Sequence, residues 1–349
     1  DMLWQAMKND GKTPSHDVYG NGDQAVVPEY LDSNHLIPSD DVDWVDEILR
    51  AAVVQSYNLS FTKADKKSNQ LFSLGYYDQQ GLVKFSDFKR VSGRFNSEYK
   101  LFDDHLRIGE NISLSHSWGT SVSNNAALGG TLYEAYKFQS ITPVKNLEDE
   151  YAGNVFSDIP NPMGKLDRNK DNQDKKSRLV GNLYAELHLF DGLMFKTSFG
   201  VDYNNLYRRS FSPKYDELNA SEKLSSLSNR NAWNFNWVFT NTLTYNKTFG
   251  DHTINALLGM ESLRNRYEYF TASRDGFPSD DPNFRFLDAG DVGTQKNSGA
   301  ATEYSMVSYF GKLDYNYHDR YLVAFTLRRD GSSRLGNNKW GNFPAASVG

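Results

Sequence analysis

Apolar and polar residues alternate one by one over long stretches of the chain, which is the period of strands with two unlike faces. Residues 91–101 set Val91, Gly93, Phe95 and Tyr99 against Ser92, Arg94, Asn96, Glu98 and Lys100. In 179–189, Leu179, Leu183, Ala185, Leu187 and Leu189 oppose Asn182, Tyr184, Glu186 and His188. Residues 193–203 place Leu193, Phe195, Phe199, Val201 and Tyr203 opposite Lys196, Ser198 and Asp202. Residues 233–245 do the same with Trp233, Phe235, Trp237, Phe239, Leu243 and Tyr245 against Asn234, Asn236, Thr240, Thr242 and Thr244. Fainter alternation runs through 52–63, 68–79, 105–118, 252–268, 304–317 and 320–333. The pattern predicts ten strands and the start of an eleventh.

The connections sort by length. Every second joint is short: 64–67, 103–104, 191–192, 250–251 and 318–319. Between them fall long joints at 119–176, 211–229 and 269–303, with modest ones at 80–86 and after 333. Short turns at one end of a sheet and large loops at the other are the habit of transmembrane β-barrels. Strand length agrees, since a tilted strand crosses lipid in about 9–11 residues. Leu187 and Phe235 are then expected to face lipid near the midplane, and Asn182 and Asn234 to face a wet lumen.

Aromatic residues add two rows. Phe102, Phe190, Tyr245, Phe249, Tyr315, Tyr317 and Tyr321 lie near the short turns, and Tyr77, Trp118, Tyr203, Tyr207, Trp233, Tyr267 and Tyr304 near the loop ends. Both rows are expected at the two membrane interfaces. Other aromatics, Tyr133, Tyr136, Phe138, Phe156 and Phe284, fall in the long loops, where they either stack on a ligand or partner or pack within the loops. The first fifty residues differ: 1–51 reads as a loop region with a short helix at 43–51, introduced by the acidic run Asp40, Asp41 and Asp43. Residues 52–349 hold the strands.

Composition narrows the chemistry. The 349 residues carry 38 Lys and Arg against 44 Asp and Glu, a net charge of −6 that argues against a nucleic-acid partner. Mean hydropathy is −0.66 and no apolar run reaches the roughly 18 residues of a membrane helix. With no Cys, disulfide frameworks, thiolate metal sites and Cys nucleophiles are excluded. The N-terminus shows no signal-peptide pattern, and both ends read as cuts within a longer protein.

Candidate catalytic or metal motifs do not hold together. Asp167, Asn169 and Asp171 have the opening spacing of a Ca²⁺ loop, but Asn172 stands where Gly is needed and Arg178 where a bidentate Glu belongs. An irregular Ca²⁺ site at 167–174 stays open. The seven His residues (16, 35, 105, 116, 188, 252 and 318) show no HExxH or HxH spacing. Acidic pairs such as Asp280 with Asp281, or Glu148 with Glu150, lie in loops without the fixed opposition that glycoside hydrolysis requires. The sequence therefore assigns no catalytic, cofactor-binding or metal residues and no cofactor, and an enzyme is not expected.

Several segments resemble the SusC/RagA family of TonB-dependent outer-membrane transporters. Asp43–Arg50 is similar to that family's D-W-x-D-E-I-F-R, with Leu49 for Phe; Gln55–Ser60 resembles Q-x-Y-N-L-S. Leu74–Val83 resembles L-G-Y-x-D-Q-E-G-x-V with Gln80 for Glu, and Ser86–Arg90 its return. Ser308–Tyr315, Asp319–Leu322, Arg328–Gly336 and Trp340–Ala345 resemble S-Y-F-G-R-x-x-Y, D-R-Y-L, R-x-D-G-S-S-R-F-G and W-G-x-F-P-A. These matches span 43–349, with wide gaps at the outer loops.

The resemblance implies an all-β transmembrane antiparallel barrel of about 22 strands, of which this chain holds a central part, with the plug absent from it. It also implies TonB-dependent import, across the outer membrane of Gram-negative Bacteroidota-type bacteria, of a nutrient too large for simple porins. The nutrient would be a glycan or oligopeptide. The partners implied are outer-membrane lipid, a SusD-like surface lipoprotein, the substrate, and TonB through a region not in this chain. A self-contained small porin or adhesion barrel, or a soluble secreted carbohydrate-binding β-protein, are the alternatives that the strand pattern leaves open.

Overall fold

The computed structural model describes residues 2–123 and 129–349. Helix α1 (Met2–Asn9), the two-rung hairpin of β1 (Ser15–His16) and β2 (Gly20–Asn21), and α2 (Trp44–Ile48) precede the sheet. Next come β3 (Val54–Ala64), β4 (Ser68–Gln80), β5 (Asp87–Leu101) and β6 (Leu106–Gly119). The long connection after β6 carries α3 (Thr131–Lys137) and α4 (Pro162–Asn169). Then follow β7 (Gln173–Phe190), β8 (Leu193–Ser212), the small hairpin β9 (Tyr215–Glu217) and β10 (Ala220–Glu222), and β11 (Ser226–Phe249). Strands β12 (His252–Asp275), β13 (Lys296–Tyr317), β14 (Tyr321–Ser332) and β15 (Trp340–Val348) complete the chain. Eleven strands, β3 to β8 and β11 to β15, form one antiparallel sheet in which each pairs with its chain neighbours.

Turn chemistry fixes the short ends. Asp191-Gly192 and Gly250-Asp251 make two-residue hairpins, with Gly192 and Gly250 at positive φ. At the other short ends Asp103, Asp104, His318 and Asp319 take the left-handed conformation that Asp and His tolerate better than branched residues do. Asp65 closes the β3–β4 turn by accepting hydrogen bonds from the backbone N–H groups of Lys67 and Ser68, both at 2.8 Å.

Directly opposed residues project to the same side, so register carries each face across the sheet. Phe61, Phe72, Phe95 and Ile112 are successive partners on β3–β6. Leu183, Phe199 and Phe239 continue that face on β7, β8 and β11, and Leu258, Gly311, Leu327 and Pro344 on β12–β15. The other face is polar: Ser73, Arg94, Ser113, Val180, Asp202, Asn236, Asn265 and Tyr304 are successive partners across eight strands. Two such faces on one sheet, the apolar one exposed, suit a wall between lipid and water.

On the apolar face, Tyr245, Phe249, Tyr315, Tyr317 and Tyr321 mark the short-turn end. A register shift after His188 brings Phe190 into the same row, opposite Leu193. Trp118, Tyr203, Tyr207 and Trp233 mark the other end. Phe239 sits midway between Trp233 and Tyr245, whereas Leu187 lies close to the β7–β8 turn and Phe235 close to Trp233. The expectation that Leu187 and Phe235 lie near the midplane therefore moves to Phe239 and its partner Phe199.

The tallest strands outrun the membrane. β11 and β12 are 24 residues long, well beyond the about 9–11 needed to cross. Above the upper aromatics the strands meet water and the outer loops instead of lipid, and the alternation fades in stretches such as Ser226–Ala232 while the ladder continues. No helix among the described residues is long and apolar enough to cross a membrane.

Candidate functional site: a polar wall beneath an outer-loop crown

The polar face is built from matched charges and amides. Arg178 on β7 grips Asp202 on β8 with two parallel bonds of 3.0 and 2.7 Å, and Arg208 holds Asp174 in the same bidentate way. Lys196 donates to Glu186 at 2.8 Å. Tyr184 lies over Gly109, where a Cβ would come within 2.4 Å of the ring, and donates its hydroxyl to Glu98 at 2.9 Å. Further along, Arg328 donates to Asp330 at 2.7 Å and to Ser308 at 2.9 Å, with Glu261 at 3.6 Å. The Asn265 amide donates to Asn234 at 2.8 Å. Charges of both signs alternate here, so the wall offers hydrogen bonds without a strong field of one sign.

Three residues expected in the upper interfacial row belong to this polar face instead. Tyr77 opposes Ser56 and Arg90, Tyr267 opposes Asn234, and Tyr304 opposes Asn265. Aromatic residues favour strands on either face, so their closeness to the loop ends could not say which way they point; parity within the strand does. Arg230 ties Tyr267 and Tyr269 together, donating to the Tyr267 hydroxyl at 3.1 Å and lying 4.1 Å over the Tyr269 ring. These rings form an aromatic step near the loop end of the polar wall.

Above the wall, separate loops fold onto one another. Trp44 and Ile48 of α2 pack with Ala135 and Phe138 of the α3 region and with Met163 and Leu166 of α4. Asp43 caps α2 by accepting from the N–H groups of Val45 and Asp46. Trp44 meets Phe138 edge to face at 4.6 Å and donates its indole N–H to the Gln139 carbonyl. Asn161 caps α4 through its Oδ1, and its Nδ2 donates to the carbonyls of Val144 and Ala152. Arg168 of α4 pairs with Glu217 of β9 at 2.6 Å, and Glu217 also accepts the Asn161 N–H. Burial outweighs these partners and holds the Glu217 carboxyl above the usual range. A second cluster, Phe211, Leu227 and Phe277, closes under Arg285, which reaches Asp171 at 3.1 Å. Tyr151, half-buried beside Asp167, has its phenol pushed up to about 12, chiefly by that burial.

The 167–174 segment is occupied by its own ion pairs. Asp167 and Asn169 sit on α4, Asp167 pairs with Lys170 at 2.8 Å, and Asp171 pairs with Arg285. Among the described residues no group of three His, Asp or Glu could hold a metal ion. Of the loop aromatics, Phe138 packs inside the crown and Phe156 stacks on His16 and Tyr19. Tyr133, Tyr136 and Phe284 are exposed, Tyr136 by 75%.

No protein-family model matches the chain. TonB-dependent receptor P3 of Formosa agariphila is 30% identical over 332 residues, 93% of this chain and 33% of that protein. TonB-dependent receptor SusC of Bacteroides thetaiotaomicron is 28% identical over 337 residues, 88% of this chain and 32% of that protein. Over nearly all of its length the chain is similar to SusC/RagA-like TonB-dependent receptors. It spans about a third of the length of these relatives. The fold agrees with the structure of the RagAB peptide importer in its closed-closed state, at a TM-score of 0.79 and 23% identity over 91% of this chain and 36% of that one. This similarity, together with the exposed apolar face, counts against the soluble carbohydrate-binding reading. SusC/RagA-like receptors are outer-membrane barrels of Gram-negative bacteria, and the homologues are receptors and transporters rather than enzymes.

Proposed function

We propose that this chain forms lipid-crossing wall and outer crown of a TonB-dependent importer. Its cargo is a nutrient too large for simple porins, of the glycan or oligopeptide class. A SusD-like surface lipoprotein is its partner outside, and TonB acts through a region outside this chain. The observation that carries this reading is the two-faced register: one exposed apolar face across eleven strands, backed by a wall of amides, hydroxyls and paired charges. Such a wall exchanges hydrogen bonds with sugar hydroxyls or peptide amides alike. One similar structure is named a peptide importer, which supports the oligopeptide side of this range.

The test is uptake by the source bacterium with and without the gene. Labelled oligosaccharides and oligopeptides are supplied to the wild type, to the deletion strain and to a strain lacking TonB. Loss of one class in both mutants, with monosaccharide and amino-acid uptake intact, supports the proposal. Unchanged uptake of both classes in the deletion strain overturns it.

A further inference from the structure

The apolar face contains a hollow of about 720 Å³ on β12–β14. Gly311 forms its floor, because it puts no side chain between Leu258 and Leu327, its partners on either side. Leu313 and Phe325 wall it below, and Arg329 stands at its upper rim. The stretch from Tyr321 to Arg329 has the length of one crossing, about 9–11 residues. Arg329 stands eight residues above Tyr321 of the lower aromatic row, and its long side chain extends beside Trp340 toward the outer headgroups.

The rim is organised around that cation. The Arg329 guanidinium lies 5.1 Å over the Trp340 ring, which stacks on Tyr309 at 6.2 Å. Nearby ion pairs engage Lys312 with Asp314, and Arg328 with Asp330 and Glu261, all on the polar face. Arg329 makes no ion pair among the described residues, and its own partners across the apolar face are Tyr309 and Asn342. An unpaired cation beside aromatic rings, directly above an apolar hollow and within reach of the headgroups, complements a molecule with an anionic head and a hydrocarbon tail.

We infer that this hollow is a binding site for one phosphate-bearing lipid of the outer leaflet, its acyl chain along Gly311 and its phosphate on Arg329. The site goes beyond nutrient import and does not depend on which nutrient is carried.

The experiment uses the full-length receptor purified in detergent, with bound lipid counted by native mass spectrometry after exposure to lipid A or to dephosphorylated lipid A. Wild type should retain lipid A about tenfold better than the dephosphorylated form, the size of one charge-assisted contact. Arg329→Gln should erase that preference, Arg329→Lys should keep most of it, and Gly311→Leu should lower retention of both lipids by filling the hollow. Arg264→Gln, which removes a cation already paired with Glu303 on the same face, should behave as wild type. Heat-modifiable migration on unboiled gels confirms that each variant is a folded barrel. Equal retention of the two lipids by wild type, or unchanged retention in folded Gly311→Leu, overturns the inference.

Discussion

The Arg168 guanidinium sits 2.6 Å from the Glu217 carboxylate, and the Glu217 side chain is only 3% exposed. One residue belongs to the long loop after β6 and the other to the hairpin between β8 and β11, so this pair fastens two outer loops to each other. Removing one partner leaves a buried charge without compensation. Arg168→Met should therefore weaken the junction by about 3–5 kcal/mol. Glu217→Gln, which keeps a polar side chain of the same shape without the charge, should cost less. Limited proteolysis of the 120–172 loop in the full-length receptor reads both.

The same junction has a pH signature. Burial raises the Glu217 carboxyl above its ordinary value near 4.5 in the folded crown. The folded state then holds this proton more tightly than the unfolded one. Its contribution is fully present below the ordinary value and is lost as pH rises through the raised one. Resistance of the 120–172 loop to limited proteolysis should fall over that window in wild type and show no such step in Glu217→Gln.

The β3–β4 turn should respond in the opposite direction. Hydrogen bonds from the Lys67 N–H, the Ser68 hydroxyl and the Ser68 N–H hold the Asp65 carboxyl below its ordinary value. A depressed carboxyl stabilises the turn above its ordinary value and loses that effect as pH falls through the lowered one. Protection of the Lys67 and Ser68 amides, relative to their intrinsic exchange rate at each pH, should fall on acidification, and Asp65→Ala should remove it at every pH.

Depth on the apolar face should grade the cost of a charge. Phe239→Arg, at the middle of the crossing, should cost about 2–4 kcal/mol, and Leu187→Arg or Phe235→Arg, near the interfaces, about 0–1 kcal/mol. Asn182→Arg and Asn234→Arg, on the polar face, should be tolerated. Unfolding titrations in lipid vesicles give the series. Equal costs at Phe239 and Asn234 would remove the distinction between the faces.

The aromatic step should matter for cargo. Tyr267→Ala should reduce uptake about threefold to tenfold, the scale of one lost aromatic contact of about 1 kcal/mol. Trp233→Ala, on the opposite face of the neighbouring strand, should leave uptake unchanged in cells with equal receptor levels.

The fold class was legible because a wall between lipid and water writes period two into the sequence, as Phe235, Trp237 and Phe239 do against Asn234 and Asn236. Strand ends were less legible. From Leu206 to Ser212 and from Ser226 to Ala232 neither face meets lipid, and the apolar residues Phe211 and Leu227 are buried under the loops, so pairing continues without the period-two signal. The inward direction of Tyr77, Tyr267 and Tyr304 was readable in principle from their parity with Arg90, Asn234 and Asn265, although aromatic enrichment alone pointed outward. The crown was not legible: Arg168 and Glu217, or Trp44 and Phe138, are brought together by loop packing that no periodicity announces. The hollow at Gly311 needed three strands in register before one missing side chain became a space.

The most direct test of the two-faced wall is a nitroxide scan along β11 from Trp233 to Tyr245 in the full-length receptor embedded in lipid. This chain has no Cys, so single Cys labelling sites can be added here without background from it. Labels at Phe235, Trp237, Phe239 and Leu243 should be relaxed by oxygen, which concentrates in lipid. Labels at Asn234, Asn236, Thr240 and Thr242 should be relaxed by a water-soluble nickel chelate, with the two profiles out of phase at a period of two. Profiles in phase, or without that period, would contradict the account.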